Sequence, residues 1–492
     1  MRVLFRESYG NGKETSYVKS EGGTSVNEVK LESVGSPAAD SRIVSVLKEI
    51  FLPQGYPDSV HPDYTEYQIW DTVQAFASTI MGTLTTHSIM KGIGVGESSA
   101  TPLAAAITWI MKNGTGMIGS IVFAWWNGTD LDGQCKKWRL VADILNDLAM
   151  GIELLVQYFS SYSLVILCIS TVMKSIVGVA GGATRAALTQ HQAIRNNLAD
   201  VSAKDGSQET CVNLIASFFG IFILSLFQDG RYLIELYLFL VAVHLLANYL
   251  AVKALCLDTL NEARLALVVR NYMTNERIPD SKIINKKESI FRLGNPTKRV
   301  CGFDIKIGVS FASVLKKDAI SSMEMNFLLT FFEDRKYLIT MDIETRSIFV
   351  ILKTNVQPTD ILEAYFYASM CGFYICIAQK IPIDLLMQSE TSELSHPLIN
   401  TYILYKKLAN SDTDTKLPLV IQSVCAGDLI VSNDYSAFLA DLKTKGWNTE
   451  TNLLTVGAWR FHGVSMETDE NDSLLVVICK RDRDLFWKTI LR

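Results

Sequence analysis

The sequence predicts a mainly α membrane protein, a bundle of about six transmembrane helices followed by a smaller α+β cytosolic domain. Three observations carry that expectation. Hydrophobic residues make up 49% of the 492-residue chain and charged residues only 20%, against about 25% in ordinary soluble domains. The apolar surplus is concentrated between residues 72 and 256, in stretches approaching the ~20 residues that a ~30 Å hydrocarbon core requires. Basic residues sort to alternate sides of those stretches, as the positive-inside rule demands of a multi-pass chain.

Taken in order, residues 1–40 are polar, rich in Gly, Ser and Glu, and read as a flexible N-terminal arm without the apolar region of a secretory signal. Residues 41–260 form the multi-span domain. It opens with apolar positions at helical spacing (Ile43, Val44, Leu47, Ile50, Phe51), which predict a short amphipathic helix before the turn PQGYPDSVHP. The expected spans are 72–92, 102–126, 140–159, 162–182, 210–227 and 231–256. The first is the most polar, with Thr79, Thr83, Thr85, Thr86 and His87, and has to line other helices or water. Even-numbered loops and the C-terminal flank carry Lys136, Lys137, Arg139, Arg185, Arg195, Lys204, Lys253 and Arg264, whereas odd-numbered loops hold only Lys91 and Arg231. Both termini are therefore expected in the cytosol.

Residues 261–300 read as a charged helical linker with Arg264, Arg270 and Arg277, and 301–492 as a C-terminal α+β domain. There, RKYLITMDIETRSIFVILKT predicts two strands around a turn, and Pro358 opens a helix through Ala378 that reads as a buried core helix rather than a further span. Helical sequence continues over 398–409 and 434–445, and the strands GAWRFHGVSME and SLLVVICKR close the chain.

Several function classes are disfavoured. The net charge is −5 with no long basic run, so nucleic acid is not an expected partner. The nine cysteines are scattered without zinc or redox spacing, and neither metal nor cofactor is expected. Gly92, Gly94 and Gly96 form a glycine loop, GIGVG, before a helix that Ser98, Ser99 or Thr101 could cap; it lacks the spacing and the preceding strand of a phosphate cradle and reads as a tight connection. Gly178 and Gly182, and Gly116 with Ser120, have the small-xxx-small spacing that lets helices approach.

Charged residues inside the expected spans are the more informative feature. Lys112, Asp143, Asp147, Glu153, Lys174, Glu235 and His244 each cost about 2.5–3.5 kcal/mol at mid-membrane, so pairing or a wet cavity is expected for them. Asp143 and Asp147 lie one turn apart on a face shared with Gly151, and His244 and Asn248 repeat that spacing on the last span. Internal ion pairs, such as Lys174 or Lys112 with a carboxylate, are one reading. A solute or proton pathway is the other.

Residues 51–258 carry a resemblance. FLPQGYPDSVHPDYTEYQIWD, MKGIGVGESSATPLAAAITWIMKNGTGMIGSIVFAWWNGTDLDGQCKKWRLVADILND and NLADVSAKDGSQETCVNL resemble the root UV-B-sensitive (RUS) family, membrane proteins that in plants are linked to UV-B tolerance of roots, early seedling growth and vitamin B6 homeostasis. The resemblance supplies no catalytic residues. With six spans and a basic second loop (DLDGQCKKWR), the chain also resembles half of a major-facilitator transporter, which implies a homo- or hetero-oligomer with a family member. The leading expectation is a transporter-like or solute-binding protein, not an enzyme, partnered by the lipid bilayer and an unidentified solute. The alternatives are a non-transporting scaffold that recruits partners through its C-terminal domain and a pyridoxal-phosphate enzyme using Lys174.

Overall fold

The computed structural model describes residues 2–9, 13–19, 26–31, 42–93, 102–226, 232–290, 294–315, 322–383 and 418–462, and the chain is mainly helical. It divides into two units, Met1–Leu255 and Cys256–Arg492.

In the first unit, three strands, β1 (Arg2–Tyr9), β2 (Lys13–Lys19) and β3 (Val26–Leu31), pair antiparallel in sequence order within the segment expected to be a flexible arm. Val3 with Phe5 in β1, and Val29 with Leu31 in β3, have the period of two that a strand requires and that composition alone conceals. The amphipathic helix is α1 (Arg42–Phe51). Then come α2 (Tyr64–Gly92), α3 (Pro102–Asn127), α4 (Cys135–Leu154), α5 (Ser163–Gln192), α6 (Leu198–Leu226) and α7 (Leu233–Ala254). Helix α2 packs against α7, α6 and α4, and α5 takes α3 and α4. Ala77, Ile80, Met81 and Leu84 of α2 meet Met150 and Leu154 of α4, Ala216 of α6 and Tyr237 and Leu240 of α7.

Several helices outrun the apolar stretches that announce them. Helix α2 begins at Tyr64 rather than 72, α5 continues to Gln192 rather than 182, and α6 starts at Leu198 rather than 210. The additional turns are polar but satisfied, because Arg185 of α5 bonds Asp205 at 2.5 Å and Glu209 at 2.6 Å on α6. The basic residues assigned to loops therefore need correcting. Lys136, Lys137 and Arg139 lie within α4, Arg185 within α5 and Lys204 within α6. Lys136 is buried and donates to the Leu255 carbonyl at 2.9 Å, a cation placed on the C-terminal end of α7.

Gly116 and Ser120 of α3 do mark a close helix contact. A Cβ on Gly116 would lie 2.8 Å from Thr171 Cγ2, and Ser120 Oγ reaches the Ser175 carbonyl at 3.5 Å. Gly178 and Gly182 have nothing within 4 Å of an added Cβ, so their spacing serves no close contact among the described residues. The polar α2 lines its neighbours as expected: Thr79 Oγ1 donates to Asn213 at 2.7 Å, and Gly220 of α6 leaves room for Thr83.

Among the described residues, four helices are long and apolar enough to cross a membrane: residues 160–192, α6, α7 and residues 358–378. The first three belong to the first unit, and α3, α6 and α7 turn Trp125, Ile121, Phe218, Ile221, Leu238 and Phe239 outward, each more than half exposed. So apolar an exterior suits lipid or a partner's apolar surface better than water.

In the second unit, β4 (Thr259–Leu260) pairs parallel with β8 (Asn448–Asn452). The stretch expected to be a charged linker is instead core. Helix α8 (Glu262–Asn275) buries Leu265, Val268, Val269 and Met273, and its Arg264 is enclosed because Glu288 binds it at 3.0 Å and the Thr259 carbonyl accepts from it at 2.7 Å. After α9 (Ser281–Lys287) and α10 (Pro296–Cys301) comes β5 (Asp304–Ile307), then α11 (Phe311–Leu315), α12 (Ser322–Phe331) and the hairpin β6 (Tyr337–Asp342) and β7 (Ser347–Leu352). The sheet order is β5-β7-β6, with β5 parallel and β6 antiparallel to β7.

Helix α13 (Pro358–Ala378) opens as Pro358 and Asp360 foretell, with the Asp360 carboxylate accepting from the Gln357 N–H at 2.8 Å. It packs against α14 (Leu419–Thr444) and the sheet, and nearly all its side chains are buried. Helix α14 is much longer than the expected 434–445; Gly427 permits its approach, since a Cβ there would sit 2.5 Å from the Tyr367 ring. Of the expected strand GAWRFHGVSME, residues 457–462 make one isolated bridge, Phe461 with Lys353, and its remainder, the helix expected at 398–409 and the final strand SLLVVICKR lie outside the described residues.

Candidate functional site

Arg139, Asp143 and Asp147 recur every fourth residue on α4, so all three share one face. Tyr67, Asp71 and Gln74 make a comparable stripe on α2, and Tyr237, His244 and Asn248 one on α7. Because these three helices pack together, the stripes meet inside the bundle. Arg139 Nη2 donates to Asp71 Oδ1 at 2.7 Å, and Tyr67 OH reaches the same oxygen at 3.5 Å. Gln74 and Asn248 both donate through their amides to Asp143 Oδ2. One turn further along, His244 Nδ1 lies 2.9 Å from Asp147 Oδ2, and Tyr237 OH donates to the Asp147 carbonyl. Gly151, on the same face, leaves the space Tyr237 occupies, since a Cβ there would lie 3.4 Å from its hydroxyl.

The network is enclosed: Gln74, Asp147, His244 and Asn248 are all buried. It gathers three carboxylates around one guanidinium and one imidazole, and it is not closed upon itself. Gln74 Oε1, Arg139 Nε, Asp147 Oδ1 and Asn248 Oδ1 are buried without a hydrogen-bond partner among the described residues. Such atoms carry desolvation penalties unless water or another polar species meets them. Chemically, the cluster can exchange protons along an Asp–His line.

The remaining predicted residues separate from this cluster. Glu153, 1% exposed, accepts from Lys174 Nζ at 2.6 Å and from Ser170 Oγ at 2.5 Å, an α4–α5 ion pair of the internal kind anticipated for Lys174. Among the described residues Lys112 pairs with no carboxylate and lies 4.5 Å above the Trp109 ring. Glu235, in the first turn of α7, is exposed. Gly92 ends α2 hard against the Val156 backbone, 2.7 Å from an added Cβ, while Gly94 and Gly96 lie outside the described residues.

Sequence reasoning missed Asp71, Gln74, Tyr67, Tyr237 and the inward role of Arg139. The Arg139–Asp143–Asp147 periodicity was a usable signal, hidden by assigning Arg139 to a loop. Pairing with Asp71 across 68 residues has no local signature.

Comparison with known proteins gives a consistent outcome. Residues 37–276 match the vitamin B6 photo-protection and homoeostasis domain, and residues 277–462 match the root UVB sensitive protein C-terminal domain. The chain is 48% identical over 282 residues to RUS family member 1 of Dictyostelium discoideum, covering 56% of this chain and 52% of that one. It is 30% identical over 423 residues to protein root UVB sensitive 3 of Arabidopsis thaliana, covering 85% and 86% of the two chains. Protein root UVB sensitive 6 of the same plant is 27% identical over 458 residues, 92% of this chain and 85% of that one. No solved structure matches the chain.

Proposed function

The chain belongs to the root UVB sensitive family, whose name and domain tie it to UV-B sensitivity and vitamin B6 photo-protection, and from that premise we propose that it is a multi-pass membrane protein that handles a small solute by proton exchange. Helices α2–α7 are the six spans, both ends of the bundle's chain face the cytosol, and the second unit is a cytosolic α+β domain. A B6 vitamer is the first solute to test, given the family's name.

One observation carries this reading: four buried polar atoms without a protein partner collect in the network that holds Asp143, Asp147 and His244. A purely structural cluster is expected to close its own hydrogen bonds, as Glu153 does with Lys174 and Ser170. Ionisable groups enclosed among membrane helices mark solute paths and proton relays.

Purified protein in proteoliposomes, with an imposed pH gradient, tests the reading. Uptake of labelled pyridoxal or pyridoxine, or proton movement dependent on either, is the expected result, and Asp147→Asn should abolish it while leaving abundance and thermal stability near wild type. A wild-type protein that moves neither protons nor vitamer, with Asp147→Asn retaining full activity in cells, favours the scaffold instead.

A further inference from the structure

The turn before α2 and the last turn of α5 bring together His61, Asp63 and His191, and we propose that these three side chains form a binding site for a divalent first-row transition metal. Their ligand atoms all lie within 4.8 Å of one another. Asp63 stands between the two rings, Oδ1 being 2.7 Å from His61 Nδ1 and Oδ2 2.9 Å from His191 Nε2. The ring centroids are 4.2 Å apart.

Metal–nitrogen and metal–carboxylate bonds of about 2.0–2.2 Å, meeting at 90–110°, place neighbouring ligand atoms about 2.9–3.5 Å apart. The two His–Asp separations already lie near that range, and the whole set falls within 4.8 Å, so an ion has to draw the two rings toward a common point on the Asp63 carboxylate. Two imidazoles and one carboxylate suit borderline ions such as Zn²⁺ or Fe²⁺ rather than Mg²⁺ or Ca²⁺, which prefer all-oxygen shells. Three protein ligands leave a further position for water or a substrate oxygen.

Backbone contacts preorganise the site independently of the three side chains. The His61 N–H donates to the Gln192 carbonyl at 3.0 Å, Val60 and Ala193 form an antiparallel bridge, and the Asn197 amide holds the Ser59 carbonyl at 3.0 Å. Asp63 and His191 are 4% and 9% exposed at their side chains, whereas His61 is 27% exposed and gives an ion its way in. The pair His61 and Asp63 comes from a His-x-Asp turn and the third ligand from a helix 128 residues later, so no contiguous metal motif announces the site. It uses no residue of the Asp143–Asp147–His244 network, and its test does not depend on any transport assay.

The experiment uses the full-length protein in detergent, stripped of metal and titrated with Zn²⁺, with Mg²⁺ as control and metal content measured after desalting. The double substitution His61→Asn and His191→Gln is compared, because each amide nitrogen can replace the imidazole nitrogen that faces Asp63 while binding metal poorly. One retained equivalent of Zn²⁺ in wild type, lost in the double variant, is expected, together with a metal-dependent rise in melting temperature that only wild type shows. Should the double variant fail to fold, zinc-edge X-ray absorption of the wild-type complex decides. A shell of nitrogen and oxygen with imidazole scattering supports the site, and a sulfur shell overturns it. Equal zinc retention by both proteins, or retention by neither with Fe²⁺, Co²⁺ and Mn²⁺ failing likewise, also overturns it.

Discussion

Helices α6 and α13 are both long and apolar enough to cross a membrane, yet 11% of the apolar window of α6 is buried within the protein against 78% of that of α13. The difference extends to the units that contain them. All large hydrophobic side chains exposed among the described residues belong to the first unit, except Ile283 and Trp459. The second unit instead encloses Phe303, Phe327, Phe332, Phe366, Phe373 and Phe438 almost completely. Both units enclose some charge and some apolar core, Arg264 with Glu288 in the second and Met81 with Leu84 in the first. They differ in the exterior: the first unit encloses Asp147, His244, Glu153 and Lys136 beneath an apolar surface, an inversion that the second lacks. Helix apolarity reports only that a side chain avoids water. Whether lipid or protein meets it is a property of the surroundings.

The largest expected effect breaks a pair inside the inverted unit. Lys174→Met leaves the enclosed Glu153 with Ser170 alone and should cost about 3–5 kcal/mol. Glu153→Gln should cost less, because the Lys174 side chain it strands is 37% exposed and can find water. Thermal unfolding followed by fluorescence-detected size exclusion measures both, and the double substitution should recover most of the loss. Equal losses for the two single variants would contradict the assigned burial.

A second substitution asks which solvent surrounds α6. Phe218 is 66% exposed, so Phe218→Lys on a water-facing helix would change stability by no more than about 0.5 kcal/mol. In lipid it should cost about 2.5–3.5 kcal/mol and reduce the membrane-integrated fraction in a translocation assay. Ile283→Lys, at a residue 45% exposed in the second unit, should be silent. A silent Phe218→Lys would remove the contrast between the units.

Within the conventional core, Gly427→Ala should cost about 1–3 kcal/mol, because the new methyl meets the Tyr367 ring at 2.5 Å and neither α13 nor α14 can retreat freely. Chemical denaturation read by tryptophan emission tests it. The same substitution at Gly178, inside α5 and open within 4 Å, should instead raise stability by about 0.5–1 kcal/mol, because Ala is the better residue in a helix interior.

The smallest effect is a pH dependence. Burial pushes the Cys301 thiol up to about 12, whereas an unfolded thiol ionises near 8.5. Since the folded value is the raised one, its stabilising contribution is whole below about pH 8.5. It then declines by about 1.4 kcal/mol per pH unit as pH rises toward about 12. Unfolding curves at pH 7.5, 9 and 10 should fall more steeply for wild type than for Cys301→Ala; parallel curves would place the thiol at the surface.

Much of the secondary structure was legible because its causes are local. The amphipathic spacing of 43–51 gives α1, the Pro358–Asp360 start gives α13, and the turn in MDIETRS gives the β6–β7 hairpin. Charges inside apolar stretches stood out for the same reason, since an Asp there is conspicuous wherever it ends up. The excess apolarity of the chain and the family resemblance were likewise carried by contiguous residues.

Tertiary structure alone decided what each charge meets. Asp143 and Asp147 share a face by helical period, but only the packing of α2 and α7 onto α4 gives one Gln74 and Asn248 and the other His244. Lys112 and Lys174 looked equivalent as partners for a carboxylate, yet α5 brings Lys174 to Glu153 while Lys112 lies over Trp109. Arg139 and Lys136 looked like loop charges and became interior ones, because Asp71 and the end of α7 arrive from distant parts of the chain. Periodicity sets direction within one helix over a few residues; the partner of a buried charge is set by which helices touch, and that information is spread across contacts 21 to 119 residues apart.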